Sequence, residues 1–126
     1  MVLMCMTAVL SCTKTPELSH TPDSVSLSIN NRAVVYVGKA IHGPDSLKVM
    51  YYDSAIELLD IAILRDSLYV DAYSQKANVL KRKGLLDESF AVLDQALAVN
   101  PNFAMLLMMQ GFILEKKGEM NLANSK

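Results

Sequence analysis

The sequence predicts an all-α protein in which antiparallel helix-turn-helix repeats stack into a short superhelix. The first observation behind this is self-similarity. Residues 55–65, AIELLDIAILR, resemble residues 89–100, SFAVLDQALAVN, with Ala62 and Ala96 standing 34 residues apart. Leu80 and Leu114, Ala77 and Gly111, and Gly84 and Gly118 keep the same offset of 34. Agreement of four markers at one period is the signature of a repeat architecture. The second observation is punctuation. The apolar run LDQALAVNPNF stops on Asn100-Pro101 and then resumes. The residue before a proline is driven out of the helical region, while proline itself is tolerated in the first turn of a helix, so a repeat boundary is expected there.

The chain has 126 residues, which suits one continuous stack rather than two domains. Twelve Lys and Arg stand against 13 Asp and Glu, a formal charge of -1. That balance gives no electrostatic footprint for nucleic acid or an anionic membrane surface. No apolar run reaches the roughly 20 residues that span a bilayer. The two cysteines, Cys5 and Cys12, both fall in the first twelve residues, so the repeat region can hold no disulfide.

Along the chain, the first element is MVLMCMTAVLSC, apolar and followed at once by the polar TKTPELSHTPDS. This resembles a bacterial lipoprotein signal, with Val9-Leu10-Ser11-Cys12 in the positions of cleavage and acylation. The resemblance implies a signal peptide over 1–11, diacylglyceryl attachment at Cys12, and a flexible tether over 12–25. Two or three acyl chains anchor stably. The chain would then sit in the bacterial cell envelope, on the outer membrane, facing periplasm or surface. One feature departs from the pattern: no Lys or Arg precedes the apolar run, the first cation being Lys14. The competing readings are a cytosolic N-terminus with a chance cysteine and an apolar strand packed on the domain.

The repeat region spans 26–126, with units at 26–69 and 70–103 and an incomplete one at 104–126. In the second unit Ala77, Ser89 and Ala96 are the small residues, with Tyr73 ahead of them, Gly84 in the turn and Pro101 at the boundary. This resembles the tetratricopeptide repeat, whose small residues sit where two helices cross and little more than a methyl fits, surrounded by larger side chains such as Leu80, Leu86 and Leu93. The first unit starts at NNRAVVY, with Ala33 and Tyr36 matching, and its second helix is marked by Tyr52, Ala55, Leu59 and Ala62. About ten extra residues around HGPDS lengthen both its helices and its turn, and Ser67 replaces the boundary proline. In the third unit AMLLMMQGFILEKK forms a first helix, Gly118 marks its turn, and the second helix is cut short.

Chemistry has few candidates. His20 falls in the tether and His42 in the inserted loop, with no ligand spacing around either, and no phosphate loop or nucleophile motif appears. No enzyme activity, metal or cofactor is expected. Lys81-Arg82-Lys83, the one basic cluster, spreads around a helix end and suits the helix dipole there.

The resemblance implies instead a concave face that binds a protein or peptide. Its residues would be Asn30, Asn31 and Val34 from the first unit; Ser74, Gln75, Asn78 and Lys81 from the second; and Met105, Met108, Met109 and Phe112 from the third. Some family members clamp a peptide carboxylate with Lys, Asn and Arg on these helices. Only Asn78 matches that clamp here, while Asn30, Val34, Met105 and Met109 replace its other members, so that ligand class does not carry over. The methionines read either as core at the end of the stack or as an adaptable apolar groove for amphipathic peptides. Two further alternatives stand beside the adaptor. One is self-association through the incomplete C-terminal edge, giving a homodimer, and the other is a fragment of a longer repeat protein.

Overall fold

A computed structural model describes residues 20–124. Five helices follow in chain order: α1 over Ser24–His42, α2 over Asp45–Arg65, α3 over Val70–Arg82, α4 over Leu86–Val99 and α5 over Ala104–Asn124. The protein is all-α among the described residues, and its helices pack as a repeat stack: α1 on α2 and α3 on α4 within units, α2 on α3 and α4 on α5 between them. Cys12 and the segment expected to be a signal peptide lie outside the described residues.

Each helix begins and ends for a local reason. Asp23 caps α1, its carboxylate accepting the Ser26 N–H at 2.7 Å. Hydrogen bonding from Ser26, its side chain first and then this backbone N–H, ahead of the nearby Arg65, holds the Asp23 carboxyl below its ordinary value. The helix therefore starts at Ser24, inside the segment expected to be tether. Gly43 closes α1 by donating its N–H to the Lys39 carbonyl at 2.8 Å. A Cβ at Gly43 would lie 2.5 Å from that same oxygen, so the close approach requires glycine. Pro44 then sets up α2, whose first-turn Asp45 suits the positive end of the helix dipole. The extra residues of the first unit thus lengthen both helices, but not the turn, which is only Gly43-Pro44. Lys39 sits over the Tyr36 and Tyr51 rings at 5.2 and 6.0 Å and bridges the two helices.

The turn between α3 and α4 is built on Gly84, which has φ +85. The Gly84 N–H bonds to the Lys81 carbonyl at 3.0 Å and the Leu85 N–H to the Leu80 carbonyl at 2.9 Å, the pair of bonds that satisfies the last carbonyls of a helix ending in a left-handed residue.

The offset of 34 recurs in the backbone. Asp66 N–H bonds to Ala62 and Tyr69 N–H to Asp66; 34 residues later Asn100 N–H bonds to Ala96 and Phe103 N–H to Asn100. Asp66 has φ -141 and ψ 88, and Asn100 has φ -138 and ψ 88. The first boundary manages without a proline because the Asp66 carboxylate accepts the Leu68 N–H at 3.2 Å, an Asx turn. At the second, Pro101 lies in the turn ahead of α5, not inside its first helical turn.

The side chains between units repeat as well. Lys76 pairs with Asp60 at 2.6 Å, and Gln110 donates to Asp94 at 2.6 Å. Lys83 pairs with Asp53, and Lys117 with Asp87. Tyr52, Ala55, Leu59 and Ala62 of α2 are buried, as are their counterparts Leu86, Ser89, Leu93 and Ala96 of α4. α3 lies between the two cores. Ala72 and Val79 face the first, while Tyr73, Ala77 and Leu80 face the second.

Gly118 departs from this symmetry. It was expected to turn the chain as Gly84 does, but α5 runs straight through it to Asn124. The physical difference is the residue that follows. Gly84 is followed by an apolar residue, Leu85, and then by a buried one, Leu86. After Gly118 come Glu119 and an exposed Met120, which offer neither.

Candidate functional site

The methionines of α5 divide between surface and core. Met105, Met108 and Phe112 are 54%, 61% and 55% exposed, whereas Met109 is half-buried and packs on the second core cluster. The division follows from helical geometry. Leu106 and Ile113, a heptad apart, are buried against α4 together with Met109 on the adjoining flank, and this turns Met105, Met108 and Phe112 outward.

Beside Phe112 the structure forms a cleft of about 290 Å³, lined by Lys81 at the end of α3 and by Phe112, Glu115, Lys116 and Glu119 of α5. The two cations and two carboxylates leave its rim without net charge. Phe112, Glu115, Lys116 and Glu119 fall at i, i+3, i+4 and i+7, so one helical face carries all four. That spacing was present in the sequence, where charges at a helix end read as a solvated face; the structure adds Lys81 across from them.

The α3 residues stand nearby in mixed states. Gln75, Asn78 and Lys81 are half-buried. Ser74 is also half-buried, and its hydroxyl donates to the Asp71 carbonyl at 2.9 Å, so that its proton serves α3 itself. The basic cluster is split: Lys81 faces the cleft, Arg82 is exposed, and Lys83 is drawn to Asp53.

The first-unit residues do not join this site as expected. Asn30 is only 6% exposed and is therefore corrected from open face to interior. It falls in the inward stripe Ser26, Asn30, Ala33, Val37, Ala40, whose alternating spacing of four and three defines the buried side of α1. Val34 and Asn31 are exposed, but the shallow depression around Asn31 is formed by α1 alone, with Leu27, Arg32 and Val35.

His20, which the sequence places in the tether, contacts both Asp66 carboxylate oxygens at 2.8 Å. With the Arg65 to Asp23 pair at 2.9 Å, it ties residues 20–23 to the end of α2. Among the described residues no three His, Cys, Asp or Glu side chains gather as a metal-binding group, and no helix is long and apolar enough to cross a membrane. No known protein family matches the chain, and no curated protein matches it.

Proposed function

We propose that the chain is a lipid-anchored adaptor of the bacterial cell envelope, of tetratricopeptide type, that binds a protein or peptide segment along α3 and α5 and performs no chemistry. The observation that carries the binding role is the exposed apolar strip Met105, Met108, Phe112 beside the cleft at Lys81. Thioether side chains adapt to varied apolar partners, and the aromatic ring of Phe112 at the end of the strip offers a fixed anchor. Lys81, Lys116, Glu115 and Glu119 supply polar orientation at one end. An amphipathic segment with apolar residues three and four apart fits this arrangement. The anchor rests on the apolar-to-polar switch at Ser11-Cys12.

The test of binding is selection from a random peptide display library on the immobilised full chain, followed by affinity measurement on variants. Selected peptides should be enriched in apolar residues at that spacing and should lose affinity with Phe112→Ser and Met108→Ser. Failure to select any peptide above background, or selection of peptides indifferent to both substitutions, contradicts the reading.

A further inference from the structure

α3 contacts its two neighbours with two faces. Ala72 and Val79 meet α2, and Tyr73, Ala77 and Leu80 meet α4. Carried forward by 34 residues, the first face becomes Leu106 and Ile113, which are buried against α4. The second becomes Leu107, Gly111 and Leu114. Leu107 and Leu114 are 54% and 56% exposed, and a Cβ placed on Gly111 meets nothing within 4 Å. α5 therefore carries the seat that α3 uses to hold an antiparallel helix, and because α5 continues through Gly118 without turning, no described segment returns over it.

We propose that this seat is filled by α5 of a second copy, the two helices crossing antiparallel at Gly111. The stripe along the seat is Ala104, Leu107, Gly111, Leu114, Gly118, alternating small residues with leucines at spacings of three and four. Such a heptad pattern winds two helices along a common seam, and its small positions let the backbones approach closely. The stripe is self-complementary. A two-fold axis at Gly111 places Leu107 of one copy beside Leu114 of the other and Ala104 beside Gly118, an isologous contact that closes on itself. The same kind of crossing already exists inside the protein. At the Ala77 and Ser89 contact the Ser89 hydroxyl donates to the Ala77 carbonyl at 2.6 Å, so α3 and α4 approach closely where both residues are small. Pairing α5 with α5 continues the stack in the same manner: Met105 and Phe112 stand roughly 100° or more around the helix from Gly111, while Met108 and Glu115 flank the seam.

Sedimentation equilibrium of the full chain in mild detergent, with micelles in excess over protein, tests the proposal. The wild type should show a mass rising toward the dimer with concentration. Gly111→Leu should weaken the dimer by roughly ten-fold or more, because bulk at a crossing point holds the helices apart. The same substitution should leave the thermal melt of the monomer unchanged or raised, since it fills open space and removes a helical glycine. A strictly monomeric wild type overturns the proposal. So does a dimer insensitive to both Gly111→Leu and Leu114→Glu, which would place association elsewhere. Oxidation of Gly111→Cys distinguishes a further occupant: a disulfide from 111 to 111 of another copy is expected, and one from 111 to Cys5 of the same chain would show that the N-terminal segment occupies the seat.

Discussion

At the scale of single residues, the small side chains at the crossings and the glycines in the turns make opposite demands that substitutions can separate. Ala77 and Ala96 are fully buried. Replacing either with leucine forces strained rotamers or backbone shifts, and each should lower stability by about 1 to 3 kcal/mol in thermal or denaturant melts. Gly84 and Gly118 are equivalent in sequence and different in structure, so alanine should move them in opposite directions. Gly84→Ala puts a Cβ on a left-handed residue and should cost about 1 to 2 kcal/mol. Gly118→Ala lies in a helix with open space around it and should stabilise by roughly 0.5 to 1 kcal/mol. Equal losses at both sites would mean that the chain turns at Gly118 after all.

At the scale of helices, the boundaries that depend on local chemistry were legible and those that depend on neighbours were not. Asn100-Pro101 marked the end of α4, and the offset of 34 placed the start of α5 by analogy with α3. The course of α5 beyond Gly118 was hidden because glycine signals a turn only when an apolar residue behind it has a core to enter. Asn30 was misplaced for a related reason: a repeat pattern assigns a position to a face, but α1 turns a heptad stripe through Asn30 inward. Lys81 and Phe112 of the candidate site were legible, whereas Glu115, Lys116 and Glu119 gain meaning only from the cleft they share with them. The start of α1 carries a pH dependence. The Asp23 carboxyl is held below its ordinary value by the Ser26 hydrogen bonds, so its stabilisation is complete above the unfolded carboxylate pKa and is lost as pH falls through the lower folded value. Protection of the first-turn amides of α1, taken relative to the intrinsic exchange rate at each pH, should fall on that acid side, and Asp23→Asn should remove the dependence. A wild-type profile indistinguishable from the asparagine variant would show that the cap is not formed by the carboxylate.

At the scale of the molecule, anchor and binding face make separate claims. Diacylation at Cys12 predicts that the wild type partitions into detergent and that Cys12→Ser moves to the aqueous phase, with intact mass reporting the lost acyl groups. Equal partitioning of the two would remove the envelope reading while leaving the binding face untouched. The binding face is tested most directly by the methyl NMR spectrum of the methionine-labelled chain, titrated with a peptide selected on the wild type. Met105 and Met108 stand on the proposed site, and Met50, about as exposed on α2, serves as the internal control. Saturable shifts at Met105 and Met108 with Met50 unmoved are the expected result; shifts at Met50 alone, or none at Met105 and Met108 under saturating peptide, would contradict a binding site on α5.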